Sequence, residues 1–179
     1  MEATLAINNP RIFDSWTRLL PTMLPAGATS NVVLPDKNDY FVYGHNSVKV
    51  QYKNQQDDFD PMNGQVVAGR MQLDQLLNGR RNNTPFLARL SGDNGFEIMV
   101  GVGGDVGCVQ YSRSDGKPPY LVAVSNSPHM ITGDVEFLTA DTPTPIPARN
   151  ILNFAEVKQV ALHFLETGER SNAVRWETI

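Results

Sequence analysis

The stretch FEIMVGVGGDVGCVQYS, Phe96 to Ser112, decides the fold. Phe96, Ile98, Val100 and Val102 alternate with Glu97, Met99 and Gly101, the period of a strand with one buried face. Val106 to Ser112 then pairs back across GVGGDVG (Gly101 to Gly107), which predicts an antiparallel hairpin with a tight turn needing positive φ. A phosphate cradle is the competing reading of these glycines, and the spacing argues against it. Gly101 and Gly103 would require glycine at 106, where Val106 stands, and a strand (Cys108 to Tyr111) follows in place of a helix N-terminus.

Toward the N-terminus, PFLARL (Pro85 to Leu90) reads as a strand joined to this hairpin through the turn SGDNG. Before it, Met71, Leu73, Leu76 and Leu77 suggest a short helix stopped near Gly79. KNQQDDFDPMNG (Lys53 to Gly64) reads as an exposed loop. DYFVYGHNSVKVQY (Asp39 to Tyr52) suggests two short strands turning at Gly44–Asn46, with Val48, Val50 and Tyr52 on one side. Ile12, Phe13, Trp16, Leu19 and Leu20 fall on one face of an early helix that Pro21 and Pro25 end.

Toward the C-terminus, Asp115–Gly116 is a second hairpin signal, lengthened by Pro118 and Pro119. Tyr120 to Ser125 and Val135 to Thr139 complete a meander, and DTPTPIPAR reads as a stiff connector. The next helix is the best-specified element. Asn153 can cap it while Glu156 reaches back, and Leu152 can staple onto Val157. Val157, Val160, Ala161, Phe164 and Leu165 form one apolar stripe, and Gly168 suits the C-terminal cap. Its span of about 21 Å is enough to cross a four-strand sheet. VRWE (Val174 to Glu177) closes the chain as a short strand with Trp176 packed beneath the helix. The expected fold is α+β: an antiparallel β-sheet meander with a C-terminal helix on one face and a short closing strand. Residues 1–65 read as an N-terminal helix and strands of the same domain, and residues 66–179 as its core.

Composition narrows the function. A chain of 179 residues with 41% hydrophobic side chains can bury a core without metal or disulfide support. One cysteine, Cys108, fits a reducing compartment, and no secretion signal or bilayer-spanning run is visible, so a cytoplasmic location is expected. The net charge of −4 leaves no basic stripe for phosphates, so neither nucleic acid nor a membrane is the expected partner. A mildly acidic surface favours a basic protein.

The residues assemble no chemistry. His45, His129 and His163 lack paired metal-ligand spacing, and Cys108 reads as a buried strand thiol. GHNSV (Gly44 to Val48) lacks the nucleophile-elbow pattern, and Asp57–Asp58 or Asp134 with Glu136 read as solvated faces. No cofactor, metal or catalytic residue is expected.

From Met71 to Glu177 the chain resembles the first-numbered family of immunity proteins in bacterial polymorphic toxin systems. MQLDQLLNG, the VGVGGDVGCVQYS hairpin, the proline-rich approach and FLETGERSNAVRWE carry the likeness. Its signature positions here are Gly101, Gly103, Gly104, Asp105, Gly107, Gly168, Trp176 and Glu177. The chain departs at Ser171, where the family usually has proline. The resemblance implies an α+β fold, no catalytic residues, and a cognate toxin domain as partner, often a nucleic-acid deaminase. The expected mode is binding that blocks the toxin's active site. Candidate contacts are exposed acids and aromatics: Asp57, Asp58, Phe59, Asp60, Asp93, Asp105, Asp115, Tyr120, Asp134 and Glu136. An adaptor module without a toxin partner remains an alternative, as does a small enzyme or ligand-binding domain.

Overall fold

The computed structural model describes residues 48–82, 85–126 and 131–179, which fall within one compact unit. The expected helix around Trp16, the turn at Gly44–Asn46, and His45 and His129 lie outside the described residues.

The sheet strands are β1 (Val50–Asn54), β2 (Phe86–Gly92), β3 (Phe96–Gly103), β4 (Val106–Arg113), β5 (Tyr120–Val124), β6 (Asp134–Thr139), β7 (Thr142–Pro147), β8 (Leu152–Asn153) and β9 (Arg175–Thr178). They form one mixed sheet in the order β7-β6-β2-β3-β4-β5-β9, with β1 also on β2 and β8 also on β4. Pairing is antiparallel except where β6 meets β2 at Phe86↔Leu138. The outer edge of β2 is therefore shared: β1 covers Ala88–Gly92 and β6 takes Phe86. The outer edge of β4 is divided likewise, between β5 at Gln110–Ser112 and β8 at Val106 and Gly107. The α+β expectation holds, with a sheet more branched than a simple meander.

Two helices, α1 (Arg70–Arg80) and α2 (Phe154–Thr167), cover one face. The register aligns Leu90, Ile98 and Tyr111, and Ala88, Val100 and Val109, into rows beneath them. α2 buries Phe154, Val157, Val160, Ala161, Phe164 and Leu165 there, worth on the order of 10 kcal/mol relative to exposure. The capping box forms as the sequence implies: Asn153 Oδ1 accepts from the Glu156 N–H at 2.9 Å, and Glu156 Oε2 from the Asn153 N–H at 3.0 Å. Gly168, at φ 69°, ends the helix in the left-handed conformation. α1 ends one residue beyond Gly79, and Met71, expected on its apolar face, is 76% exposed.

The hairpin glycines divide their roles. Gly104 turns the chain at φ 63°. Gly107 is needed for space: a Cβ there would collide with the Gly101 carbonyl and come within 2.9 Å of Val157 Cγ2. A Cβ on Gly101 would stand 3.0 Å from Phe137 on the opposite face. On that face, Phe137, Leu87, Cys108 and Ile151 form a second, smaller core.

The proline-rich stretch differs from its expected form. DTPTPIPAR is not a connector; its Thr142–Pro147 forms strand β7, paired along the whole of β6. The Leu138 N–H donates to Pro85 O at 2.9 Å, away from β7, so its partner Pro143 also faces its nitrogen outward. Alternation puts Pro145 and Pro147 in the same state. The prolines stand where an edge strand needs no donor. The turn uses Ala140 and Asp141, at φ 45° and 62°, without the glycine or asparagine that would announce it.

Candidate partner-binding surface

The sheet has two ends, and the ten candidate contacts divide between them. Asp93 lies in the β2–β3 turn and Asp115 in the β4–β5 loop, at one end. Asp93 accepts the Lys49 N–H at 3.1 Å. Asp115 accepts from Arg113 through two bonds of 3.0 and 2.9 Å, which together with the Lys117 N–H hold its pKa below the usual carboxylate range. Tyr120 is half-buried and donates to the Gly116 carbonyl. At the opposite end, Asp105 occupies the β3–β4 turn and pairs with Arg81. Asp134 and Glu136 are exposed on β6, facing Pro147 and Pro145 across the hairpin.

Asp57, Asp58, Phe59 and Asp60 share the second end, in the loop that leaves β1. It is exposed as expected in part and internally braced throughout. Asp60 departs from the solvated reading: it is 3% exposed. Its carboxylate pairs with Arg80 and accepts from Asn54 Nδ2 at 3.0 Å and the Met62 N–H at 2.9 Å. Asn63 Nδ2 donates to the Asp57 and Asp58 carbonyls at 2.9 and 3.1 Å, while its Oδ1 accepts the Asn54 N–H at 2.6 Å. Burial raises the pKa of Tyr52 beneath them, with Arg80 opposing and Asp60 reinforcing. On top of this framework Phe59 is 95% exposed, its N–H held by Asp57 Oδ1 at 2.9 Å.

Of the two signature residues on β9, Trp176 packs against the core and Glu177 does not. Trp176 packs edge-on against Tyr111, ring centroids 6.0 Å apart, and its Nε1 donates to Ser171 O at 2.7 Å. Glu177 is exposed on β9. Cys108 is buried, its thiol pushed up to about 12 by desolvation. His163 is half-buried in a cleft beside α2 with Arg70, Arg81 and Lys158. Those cations are already engaged by Glu166, Asp105 and Asp74 respectively. Among the described residues no cluster of three or more His, Cys, Asp or Glu side chains could hold a metal. No described helix is long and apolar enough to cross a membrane.

One surface escaped the sequence reading: the face of the sheet away from the helices. Register brings Arg89, Met99, Gln110 and Val122 into one row, and Ser91, Glu97, Ser112 and Tyr120 into the next. Arg89 Nε lies 3.8 Å from Glu97 Oε1, and Ser91 reaches Glu97 at 3.4 Å. The period-two polar positions of β2, β3 and β4 were the available signal.

Residues 65–178 match the family described as Immunity protein Imm1. No curated protein matches the chain. The matched segment takes in α1, β2 through β9 and α2, and so all of the helix-covered core except β1. The chain belongs to the Imm1 family of immunity proteins.

Proposed function

We propose that this protein is a cytosolic inhibitor of one cognate bacterial toxin domain, that it acts by binding without turnover, and that it covers the toxin's active site. The observation that carries this reading is Phe59: a large apolar side chain, 95% exposed, on a loop fixed from beneath by Asp60 and Arg80. A preordered aromatic flanked by exposed Asp57 and Asp58 suits an apolar pocket rimmed by cations, and preordering lowers the entropic cost of docking. A toxin that acts on nucleic acid, such as a deaminase, presents a basic groove to its substrate, and acidic residues compete for it. Asp105 on the same end of the sheet adds to that charge, although Arg81 partly offsets it.

Co-expression with the product of the gene immediately upstream tests the proposal. Cells should survive and the two proteins should co-purify. Replacing Asp57 and Asp58 by lysine should slow association at low salt, and unchanged kinetics would remove this loop from the interface. Toxicity undiminished by the wild-type chain would overturn the reading as a whole.

A further inference from the structure

Two buried side-chain amides among the described residues, Gln55 Nε2 and Asn150 Nδ2, have no hydrogen-bond partner, whereas Arg89 Nε, which also makes no hydrogen bond, faces Glu97 Oε1 at 3.8 Å. Both amides belong to the helix-free side of the sheet. The Gln55 N–H donates to Leu87 O at 2.9 Å, which extends the β1–β2 register and sets the Gln55 side chain on the Leu87 side. Asn150, 6% exposed, lines a cavity of about 90 Å³ with Leu87, Met99, Cys108, Gln110 and Val122. Buried polar groups are normally satisfied, so Asn150 Nδ2, unpartnered on the wall of this cavity, calls for a counterpart there.

That counterpart has a definite chemistry. Every orphan is a donor, so the occupant must bring acceptors. The cavity is mostly apolar and, against about 30 Å³ per water molecule, it has room for a carboxyl-sized head group. Strand addition is not the route, since β7, which contributes Thr144 and Ile146 to the cavity wall, turns proline nitrogens to its free edge. We propose that the helix-free face seats a loop of the toxin domain, and that a carboxylate or carboxamide side chain of that loop enters the cavity and accepts a hydrogen bond from Asn150 Nδ2. This rests on the toxin-binding reading and adds a second contact to the Phe59 loop.

The test uses the full chain and the purified product of the adjacent upstream gene, with affinity read by calorimetry and folding by circular dichroism. Asn150→Leu removes an orphan donor, so it should leave the melting temperature unchanged or raised while weakening binding about tenfold or more. Val122→Arg, on the open row beside the cavity, should fill its mouth and weaken binding about a hundredfold with the fold intact. It decides the matter if Asn150→Leu fails to fold. Wild-type affinity in both variants would overturn the docking site while leaving the toxin-binding reading in place. Failure of the wild-type chain to bind would overturn that reading instead. A crystal of the complex with only an ordered water on Asn150 Nδ2 would also overturn the docking site.

Discussion

Asp60→Ala should separate the loop's architecture from its surface. In the wild type the Asp60 carboxylate satisfies Asn54 Nδ2 and the Met62 N–H and pairs with Arg80. Truncation leaves the buried Asn54 amide without its acceptor, which costs about 1–3 kcal/mol. It also leaves the Arg80 guanidinium unpaired. That side chain is 28% exposed, so water recovers part of the loss and the full cost of a broken buried pair is not expected. The sum is about 3 kcal/mol, or roughly a 6–12 °C fall in Tm for a chain of this size. Urea unfolding followed by circular dichroism measures it. Phe59→Ala serves as the companion: fully outside the packing, it should move the midpoint by less than about 0.5 kcal/mol. A loss below about 1 kcal/mol for Asp60→Ala, or a loss just as large for Phe59→Ala, would refute the bracing argument.

Gly107→Ala pushes a methyl into the Gly101 carbonyl and Val157, and should destabilise by about 1–3 kcal/mol in the same urea assay, whereas Gly104→Ala should cost mainly turn strain of about 1 kcal/mol. Ala140→Gly should stabilise by up to about 1 kcal/mol, because a left-handed alanine is relieved at a turn that Gln56 already secures through Asp141. Alkaline pH should weaken the fold. The Cys108 thiol is raised from 9.0 to about 12, so its contribution is intact below the ordinary value and is lost as pH climbs toward the folded one, by about 1.4 kcal/mol per unit at most. Cys108→Ala should flatten that slope in pH-dependent melts, and native Cys108 should resist thiol reagents at pH 8 until the protein opens.

What could be read from the chain follows from where each determinant lies. The α2 caps and stripe, and the β3–β4 alternation, are written within one or two turns of chain, and the structure carries them as expected. The β6–β7 hairpin was illegible for two reasons. Its turn, Ala140–Asp141, draws support from Gln55 and Gln56 across the fold, and its prolines make sense only once the free edge is known. The burial of Asp60 was hidden likewise, because Arg80 stands twenty residues away. Phe59 was visible among the candidates on an exposed loop, yet the Asp60–Arg80 bracing beneath it was not. The row from Arg89 to Val122 needed strand register before its polar positions could be seen as one surface.

We propose that this protein fits against a toxin through the Phe59 end of its sheet. Calorimetric titration of the full chain with the product of the adjacent upstream gene tests it most directly. The expected result is a one-to-one complex of about nanomolar affinity or tighter, weakened about tenfold or more by Phe59→Ala. No heat of binding at micromolar concentrations, or wild-type affinity in Phe59→Ala, would contradict it.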